Sequence, residues 1–584
     1  MYNITLVSAI IELPHTSHYN RTREFRIDHF VDIASTGVPI YVFTCAAYKD
    51  IVQSISDKYQ NIHIADIIDI NDTIISKMTP VDASLPEYRN GEKDIREYML
   101  LMNSKIEFVN RIAKLNPENT EFFGWIDFSI SYIFRNKLQT LNYINTLAKR
   151  HLQKPMMTIP GCWAYISDDI STYLSKINWR FCGGFFIGDS SSIHTFYSLY
   201  EKYYPVFMEE YGNRLVWEVN FWAWLDWKHG DEWLHTWYSA DHNDSIVRIP
   251  PIFYYCALSS FPGYTLSTYS YPTILDYTPS SASFITYRGQ NILNTRYVNY
   301  IILPSGNYHF NNQDHNLISY NVMTYINNIY EPYNDNYILI NNPNNIEYNM
   351  AIQGFEDVRL FIFKDAIWFV ASNRNYIESG KTRIVYGKYG CAENNYMFTN
   401  IIAIEPPSSN SYCEKNWIPI TTINGDGQES LCFIYKWFPF QIGFVNDTNT
   451  LVINKCIPSA DIPIFFEHIR GSTIFINYTD GLSYGVVHYC EDTMPRRYYH
   501  VIVAIDMKTL EPIKYSQSFV FDKIGIEFCI GMAIDIISES YIFWISRHDR
   551  DSAMVSIPIK YIPCIFDFSL ASPSAEHNSK CNCT

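Results

Sequence analysis

FFGWID, residues Phe122–Asp127, is the stretch that decides the fold of the first half of the chain. An uncharged apolar run of this length predicts a buried strand, and the Asp127 carboxylate follows directly after it. Ile4–Ile11 and Pro39–Thr44 (PIYVFT) predict two further strands, with the amphipathic segment Phe25–Ala34 between them. Strands that alternate with helices are typical of an α/β layered domain of the doubly wound type.

The pattern of apolar and turn-forming residues changes at about Pro272. From there, short apolar runs are bounded by Asn, Gly, Asp and Pro, a pattern typical of an all-β propeller or sandwich. A chain of 584 residues is also too long for one hydrophobic core, because single cores stop growing near about 250–300 residues. We therefore predict an α/β domain at residues 1–260, an all-β domain at 261–570 and a polar tail at 571–584. The length of the all-β domain divides naturally into five blades of four strands, so we predict a five-bladed propeller.

Composition narrows the classes of function. The net charge of −16 argues against a nucleic-acid partner, which needs clustered Lys and Arg. No apolar run reaches the roughly 18 residues of a membrane span, and the 13 cysteines form no CxxC pair. We expect a soluble protein in a reducing, cytoplasmic setting. The abundance of Tyr, Ile and Asn, which have AT-rich codons, suits a large DNA virus or an AT-rich microbe, in the viral case with a place in the host cytoplasm or the virion.

Asp127 is the first candidate site residue. In doubly wound domains ligands bind at the carboxyl ends of the central strands, and a carboxylate there can hold a divalent cation, Mn²⁺ or Mg²⁺, against a diphosphate. The plainer interpretation is that Asp127 only ends a strand or caps a helix. Downstream, GGFFIGD at Gly183–Asp189 combines residues without a Cβ and aromatic residues, so that the backbone can approach an acceptor sugar closely.

Two later residues complete the candidate set of the first domain. The run WEVNFWAW, from Trp217, predicts a helix with Glu218 and Trp222 on one face, which suits a base beside an aromatic wall. His242 is a candidate second metal ligand. The alternatives are a buried helix whose Glu218 is satisfied by the core, and a structural histidine.

Together these pieces resemble the HtrL/WlaTC family of glycosyltransferases, which has a GT-A-type fold. The resemblance covers about residues 3–250 and implies a nucleotide-diphosphate sugar as donor, with Trp125, Asp127, Gly183 and Gly184 in the donor site, Arg23 and Lys105 on the diphosphate, and Glu218 or Asp189 as the base. It is carried by ITLVSAIIEL, the Arg21–Phe25 region, PIYVFT, Lys105, WIDFSI, GGFFIGD and WEVNFWAW. The chain departs from the GT-A pattern in one respect: the Asp-x-Asp pair is missing, since Trp125 and Ser129 flank Asp127 at that spacing.

The second half carries one clear signal. GFEDVRLF at Gly354–Phe361 resembles the Glu-Asp-Pro-Arg signature of five-bladed propellers related to mannoside phosphorylases and hydrolases. The resemblance implies that Asp357 protonates a glycosidic oxygen, a role that needs a raised pKa. Val358 replaces the Pro of the signature, which favours a degenerate or sugar-binding propeller. In the alternative interpretation, Asp357 and Arg359 form an ion pair between blades.

The leading hypothesis is a metal-assisted glycosyltransferase that moves a sugar from a nucleotide-diphosphate donor to a glycan or glycoprotein acceptor. The propeller then binds or processes the glycan. One alternative is a non-enzymatic glycan-binding or surface protein whose transferase site has decayed. The other is a glycoside phosphorylase or hydrolase that acts through the propeller.

Overall fold

The computed structural model divides the chain into two compact units, Met1–Tyr254 and Tyr255–Thr584, where the sequence predicts a boundary at residue 260. Among the described residues, no helix combines the length and apolarity needed to cross a membrane. The predicted tail at 571–584 lies outside the described residues. The structure describes all residues except 1, 14–21, 165–170, 269–270, 312–315, 341–351, 375, 377–379, 393–394, 409, 424–426, 463, 479–480, 492, 563–567 and 570–584.

The first unit alternates strands and helices. Its strands are β1 (Ile4–Ile10), β2 (Ile40–Thr44), β3 (Ile62–Ile67), β4 (Phe122–Ile126), β5 (Met157–Gly161), β6 (Phe185–Asp189) and β7 (Thr236–Ser239). Its helices are α1 (Arg23–Ala34), α2 (Lys49–Lys58), α3 (Ile74–Met78), α4 (Arg96–Asn103), α5 (Lys105–Leu115), α6 (Lys137–Leu147), α7 (Ser171–Ser175), α8 (Ser190–Glu210) and α9 (Glu218–His229). The predicted α/β domain is thereby confirmed.

The strands form one sheet in the order β3-β2-β1-β4-β6-β5-β7. Neighbours are parallel except at β6, which runs antiparallel to both β4 and β5. The chain builds the sheet outward from β1 to β3 and then returns to the other side of β1 with β4. The carboxyl ends of β1 and β4 therefore meet where the winding direction reverses, which is where open α/β sheets bind ligands.

Strand β4 is buried along its whole length because both faces of the sheet are covered. Phe123 and Trp125 belong to the core on one face, and Phe122 and Ile126 belong to the core on the other face. This double burial explains why the stretch carries no polar residue before Asp127. Asp127, directly after β4, is then the first side chain that is not buried in the core.

The second unit is built from short strands. In chain order they are β8 (Cys256–Ala257), β9 (Thr265–Ser267), β10 (Thr278–Tyr287), β11 (Gln290–Val298), β12 (Tyr300–Ile302), β13 (Tyr308–Phe310), β14 (Leu317–Ile326), β15 (Pro332–Leu339), β16 (Ile352–Gln353), β17 (Glu356–Phe363), β18 (Ala366–Asn373), β19 (Arg383–Ala392), β20 (Asn395–Ile404) and β21 (Ile418–Ile423). They continue with β22 (Glu429–Trp437), β23 (Phe440–Val445), β24 (Leu451–Ile457), β25 (Arg470–Gly471), β26 (Ile476–Asn477), β27 (Leu482–Glu491), β28 (Arg497–Asp506), β29 (Glu511–Tyr515), β30 (Phe519–Val520), β31 (Glu527–Asp535), β32 (Ser540–Arg547), β33 (Asp551–Pro558) and β34 (Phe568–Ser569).

These strands form a propeller-like all-β region. Four sheets have the four-stranded path of a propeller blade: β10-β11-β14-β15, β17-β18-β19-β20, β21-β22-β23-β24 and β31-β32-β33-β9. The prediction of five such blades is therefore only partly met. The remaining large sheet has eight strands, because β8, β26, β30 and β34 add to its central path.

The ring of sheets is closed by early strands that pack against late ones. Strand β10 of the first sheet contacts both β17 of the next sheet and β31 of the last. In addition, β9 pairs with β33 and so completes the last sheet with a strand from the beginning of the unit. The rings of Phe284 and Trp544 stack between the first and last sheets with centroids 4.4 Å apart. Closure of this kind leaves fewer unpaired strand edges.

Two buried histidines pair across the eight-stranded sheet. His488 of β27 lies opposite His500 of β28, and both side chains are buried. Burial lowers the pKa of His500 to about 3. Burial, together with His500 and Arg359, lowers the pKa of His488 well below its usual value. Both imidazoles are therefore neutral in the folded unit.

The second unit should lose stability on acidification because of these histidines. Unfolded His titrates near pH 6.5, so below that pH the unfolded chain binds more protons than the folded one. The histidines stabilise the fold fully above about pH 6.5, and this contribution is lost as the pH falls towards 3. The free energy of unfolding rises with pH between pH 4 and 6. We expect His500→Phe to lower the slope of this rise by about 1.4 kcal/mol per pH unit. Urea unfolding at several pH values measures this slope, and the exposed His468→Phe should leave it unchanged.

Candidate functional site

Asp127 follows β4 at the reversal point of the sheet. Its backbone N–H donates to Gly184 O at 2.9 Å, which ties it to the turn before β6. Its Oδ1 accepts from Trp125 Nε1 at 2.7 Å and lies 3.1 Å from Lys105 Nζ. The side chain is 40% exposed, and Oδ2 has no hydrogen-bond partner among the described residues. One carboxylate oxygen is thus held by the protein and the other is available to a ligand.

Lys105 lies at the centre of the site. Its ammonium, 1% exposed, donates to Gly183 O and to Glu218 Oε1, each at 2.8 Å, in addition to its contact with Asp127. Burial by itself lowers the pKa of Lys105, but the Asp127 and Glu218 carboxylates outweigh this and raise the pKa above its usual value. With three acceptors for three N–H bonds, Lys105 orients the protein groups of the site and does not reach out to a diphosphate.

Gly183 and Glu218 are in close contact, and this contact explains one of the two glycines. A Cβ on Gly183 would lie 2.0 Å from Glu218 Oε1, whereas a Cβ on Gly184 would meet nothing closer than Ile246 Cδ1 at 3.2 Å. The missing side chain at Gly183 makes room for the Glu218 carboxylate and not for an acceptor sugar. The close backbone approach predicted from the sequence is present, but its partner is the protein itself.

Two neighbouring cavities share a wall at Asp127, and together we call them the switch-point cleft. The first lies at the end of β1 and the second reaches towards the ends of β5 and β7. Lys93, Tyr98, Met102, Asp127 and Ser129 line both. The first cavity is also lined by Ala9, Ile10, Ile11, Leu13, Arg26, Leu101, Trp125 and Phe128. The second adds Lys105, Ile130, Tyr132, Ile133, Ile177, Trp179, Cys182, Gly183, Gly184, Trp217, Glu218, Val219, His242 and Ile246.

The charge of the switch-point cleft differs in sign from that of the whole chain. Arg26, Lys93 and Lys105 line it, against the two carboxylates of Asp127 and Glu218. The chain as a whole carries a net charge of −16. A local excess of cations on an acidic protein attracts anionic ligands to this place.

The prediction that Asp189 is the base is wrong, because of the direction of β6. Because β6 is antiparallel to β4, Asp189 pairs with Phe122 at the opposite edge of the sheet from Asp127. Its carboxylate caps α8 through Ser192 and accepts from Met156 N. Asp189 is a buried helix cap and not a member of the cleft.

The predicted diphosphate residue Arg23 is also displaced from the site. Arg23 is the first residue of α1, is exposed, and lies over the Tyr48 ring with Cζ 5.1 Å from the centroid. Arg26, one turn later on the same helix, lines the first cavity instead. Helical spacing connects the two arginines, but the sequence does not show which of them faces the cleft. The upstream Arg21, part of the same motif, lies outside the described residues.

Glu218 does line the cleft, as its predicted role requires. It opens α9, where the helix dipole favours a negative charge, and it is 5% exposed. The aromatic neighbour in the cavity is Trp217, because Trp222 is fully buried in the core. The interpretation of a satisfied buried Glu therefore also holds, since Lys105 is its partner.

His242 lines the second cavity, but its close neighbours are thiols. Among the described residues, one group of three metal-ligating side chains has all its ligand atoms within 4.8 Å of one another: Cys162, Cys182 and His242. Asp127 is not a member of that group. No sequence motif predicted this group, because neither cysteine belongs to a CxxC pair.

In the second unit, Asp357 lies at a β-bulge between Glu356 and Arg359, with φ at 54°. Its ion partner is Arg296, whose guanidinium also contacts Glu356. The predicted ion pair between the side chains of Asp357 and Arg359 is not formed. The Arg359 guanidinium donates instead to the backbone carbonyl oxygens of Asp357 and Ser472 and to Asn416 Oδ1.

Asp549 is a further acid of this cluster, and no sequence motif predicted it. Tyr300 donates to its carboxylate at 3.2 Å. Burial, with a smaller contribution from Asp357 and Glu356, raises the pKa of Asp549 although Arg296 lowers it. By contrast, Arg296 and Lys415 outweigh burial and lower the pKa of Glu356. The carboxyl group with the raised pKa that an acid needs is thus Asp549.

A family model described as "Bacterial protein of unknown function (HtrL_YibB)" matches residues 3–214. This agrees with the resemblance of the first half to HtrL and leaves its activity open. No curated protein matches the chain.

Solved structures similar to the chain include a β-1,2-mannobiose phosphorylase from Listeria innocua, with 12% identity, a TM-score of 0.35, and coverage of 52% of this chain and 99% of that one. A mannose phosphorylase from Leishmania mexicana has 12% identity, a TM-score of 0.33 and coverage of 53% and 92%. A GDP-Man-dependent mannosyltransferase from Leishmania mexicana has 13% identity, a TM-score of 0.34 and coverage of 51% and 91%. Likeness at this level does not determine the substrate.

Gly183→Ala should destabilise the first unit, because the new methyl group displaces Glu218 from Lys105. Breaking a buried ion pair and overpacking its surroundings costs about 2–4 kcal/mol. Gly184→Ala is the matched control and should cost about 1 kcal/mol or less, since the nearest atom ends a flexible Ile side chain. Urea unfolding measures both variants, and equal losses would contradict the role given to the Lys105 contacts.

Proposed function

We propose that the first unit is a glycosyltransferase of GT-A type that moves a sugar from a nucleotide-diphosphate donor to a glycan or glycoprotein acceptor. The observation that carries the proposal is the position of Asp127. It lies at the reversal point of the sheet, between two cavities, with one oxygen held by the protein and the other available. The family description leaves this activity open, so the proposal rests on the site.

The first cavity suits the donor. It lies at the carboxyl end of β1 and the side of α1, where doubly wound domains bind nucleotides. Arg26 and Lys93 are the cations of this cavity and face the diphosphate in our proposal. Trp125 is 1% exposed, so that its part is to orient the Asp127 carboxylate and not to stack on the donor.

A divalent cation fits at Asp127. Mg²⁺ is usually held by one or two carboxylates together with substrate phosphates and waters, so a single available carboxylate oxygen is sufficient. When bound, Mg²⁺ or Mn²⁺ neutralises charge on the diphosphate as it leaves. Asp127 Oδ2 is the protein ligand in this proposal, while Oδ1 stays with Lys105 and Trp125.

The second cavity suits the acceptor. Trp179, Trp217 and Tyr132 offer aromatic surfaces there, which suit a sugar ring. Of the two predicted bases only Glu218 lies in this cavity, and we propose that it takes the proton of the acceptor hydroxyl as that oxygen bonds to the donor sugar. The bond between the sugar and the diphosphate breaks in the same reaction.

Donor hydrolysis with a panel of nucleotide sugars and Mn²⁺ tests the proposal. Asp127→Asn keeps the shape of the side chain and removes its charge, so we expect a loss of about 10²–10³-fold in rate. Arg26→Ala should weaken donor binding by about 10-fold or more, since it removes a charge-assisted hydrogen bond.

Arg23→Ala is the matched control, because Arg23 lies outside both cavities, and it should bind the donor like the wild type. Wild-type rates in Asp127→Asn would exclude the role proposed for that carboxylate. No hydrolysis of any donor by the wild type would leave a non-enzymatic glycan-binding protein as the better interpretation.

A second candidate function lies in the second unit. The cluster of Glu356, Asp357 and Asp549 around Arg296 supports a site that binds a glycan or cleaves a glycosidic bond. In this proposal Asp549 gives the proton to the glycosidic oxygen, because its pKa is raised, and water or phosphate bonds to the sugar carbon as the glycosidic bond breaks. The Asp357 carboxylate stays paired with Arg296.

Release of sugar from mannosides, with and without phosphate, tests the second candidate. Asp549→Asn removes the proton donor and should lower the rate by about 10²–10⁴-fold. Asp365→Asn, at an exposed carboxylate of the same unit that pairs with Arg288, should not change the rate. Full activity in both variants would exclude catalysis by Asp549, and no release by the wild type would leave glycan binding alone.

A further inference from the structure

Two thiols and one imidazole, all of them metal-ligating groups, meet at the edge of the sheet that carries the switch-point cleft. Cys162 directly follows β5, Cys182 precedes β6, and His242 follows β7 after two residues. Because β6 is antiparallel to β5 and β7 is parallel to it, all three positions fall at the same edge. Residues that are far apart in the sequence are thus brought together by the sheet order β6-β5-β7.

Backbone hydrogen bonds hold the two thiols in place. Cys162 N donates to Trp179 O at 2.9 Å, and Cys182 N donates to Pro160 O at 2.7 Å. Between them, Gly161 is packed so closely that a Cβ would lie 1.8 Å from Arg180 O. The Trp179 ring meets the His242 ring edge-on, with centroids 4.3 Å apart. The ligand-bearing segments are therefore fixed before any metal binds.

The distances suit one tetrahedral ion. The two Sγ atoms are 3.5 Å apart, and all three ligand atoms lie within 4.8 Å of one another. Bond lengths of about 2.3 Å to sulfur and about 2.0–2.1 Å to nitrogen separate ligand atoms around Zn²⁺ by about 3.5–3.8 Å. Only small side-chain rotations are needed to reach this geometry.

The protonation of the ligands is compatible with binding. Burial lowers the pKa of His242, so that its imidazole is neutral and can donate a lone pair. Burial raises the pKa of the Cys162 and Cys182 thiols, so that both carry protons without a metal. A bound ion replaces these protons, because coordination deprotonates a thiol.

We propose that Cys162, Cys182 and His242 bind one Zn²⁺ ion and leave its fourth coordination position open towards the switch-point cleft. Two thiolates and an imidazole are soft and borderline ligands, which select zinc over Mg²⁺ or Mn²⁺. Each thiol releases its proton to solvent on binding. Cys182 and His242 line the second cavity, so the open position faces a ligand there. Three protein ligands with one open position are typical of zinc sites that contact substrate.

This site is separate from the cation proposed at Asp127 and does not depend on the transferase. It changes the predicted role of His242, whose ring joins the thiols and not the Asp127 carboxylate. Metal binding is read out without any nucleotide sugar, so a failed transferase assay leaves the zinc proposal standing. A failed metal titration likewise leaves the Asp127 proposal standing.

Titration of the reduced full-length chain with Co²⁺ tests the zinc site. Co²⁺ replaces Zn²⁺ in such sites and gives a thiolate-to-metal absorption band. Cys581 and Cys583, which lie outside the described residues, are first changed to Ser so that they bind no metal. We expect one equivalent of Co²⁺ with the thiolate band, displaced by one equivalent of Zn²⁺. Loss of a residue that only hydrogen-bonds to a metal ligand costs roughly 10- to 100-fold in metal affinity. Cys162→Ser and Cys182→Ser remove a ligand itself and should weaken Co²⁺ binding by more than that.

Two further variants keep the test decisive. His242→Asn changes an exposed side chain, so it should fold normally, keep part of the thiolate band and bind Co²⁺ at least 10-fold more weakly. Cys45→Ser removes another partly buried thiol of the same unit and should bind like the parent. The proposal is overturned if the reduced parent binds no Co²⁺, or if the band persists in Cys162→Ser. It is also overturned if Cys162 and Cys182 form a disulfide in the isolated protein and the chain still binds no Co²⁺ after that disulfide is reduced.

Discussion

The buried ammonium of Lys105 is the interaction on which the first unit depends. It joins Gly183, Asp127 and Glu218, which come from the turn before β6, the end of β4 and the start of α9. An unpaired charge at this depth would cost several kcal/mol. The two carboxylates and one carbonyl therefore have to converge on it, and this convergence defines the wall of the cleft.

The same interaction separates the roles of the two oxygens of Asp127. Oδ1 contacts Lys105 and Trp125, and Oδ2 has no hydrogen-bond partner among the described residues. The single carboxylate is thus oriented by Lys105 and Trp125. The missing second Asp of the GT-A pattern is less of an obstacle than the sequence suggests, because phosphate oxygens and water commonly complete the shell of Mg²⁺.

The second unit is organised by a different constraint, the closure of its ring of sheets. Strand β9 completes the last sheet, and the Phe284–Trp544 stack joins the first sheet to the last. Inside this ring the buried guanidinium of Arg296 gathers Glu356 and Asp357, much as Lys105 gathers its carboxylates in the first unit. Both candidate sites are therefore arranged around one buried cation.

The sequence by itself determined the local features of this protein. The apolar run before Asp127 predicted a buried strand, and the change near Pro272 predicted an α/β unit followed by an all-β unit, because burial and turn formation depend on neighbouring residues. The tertiary structure alone decided which side chains share a site. The reversed direction of β6 moved Asp189 to the far edge and brought Cys182 beside Cys162 and His242. The rotation of α1 selected Arg26 over Arg23, and the bulge in β17 turned Asp357 towards Arg296. Strand direction, helix rotation and bulges are set by packing between segments distant in the chain, and for that reason no local pattern reveals them.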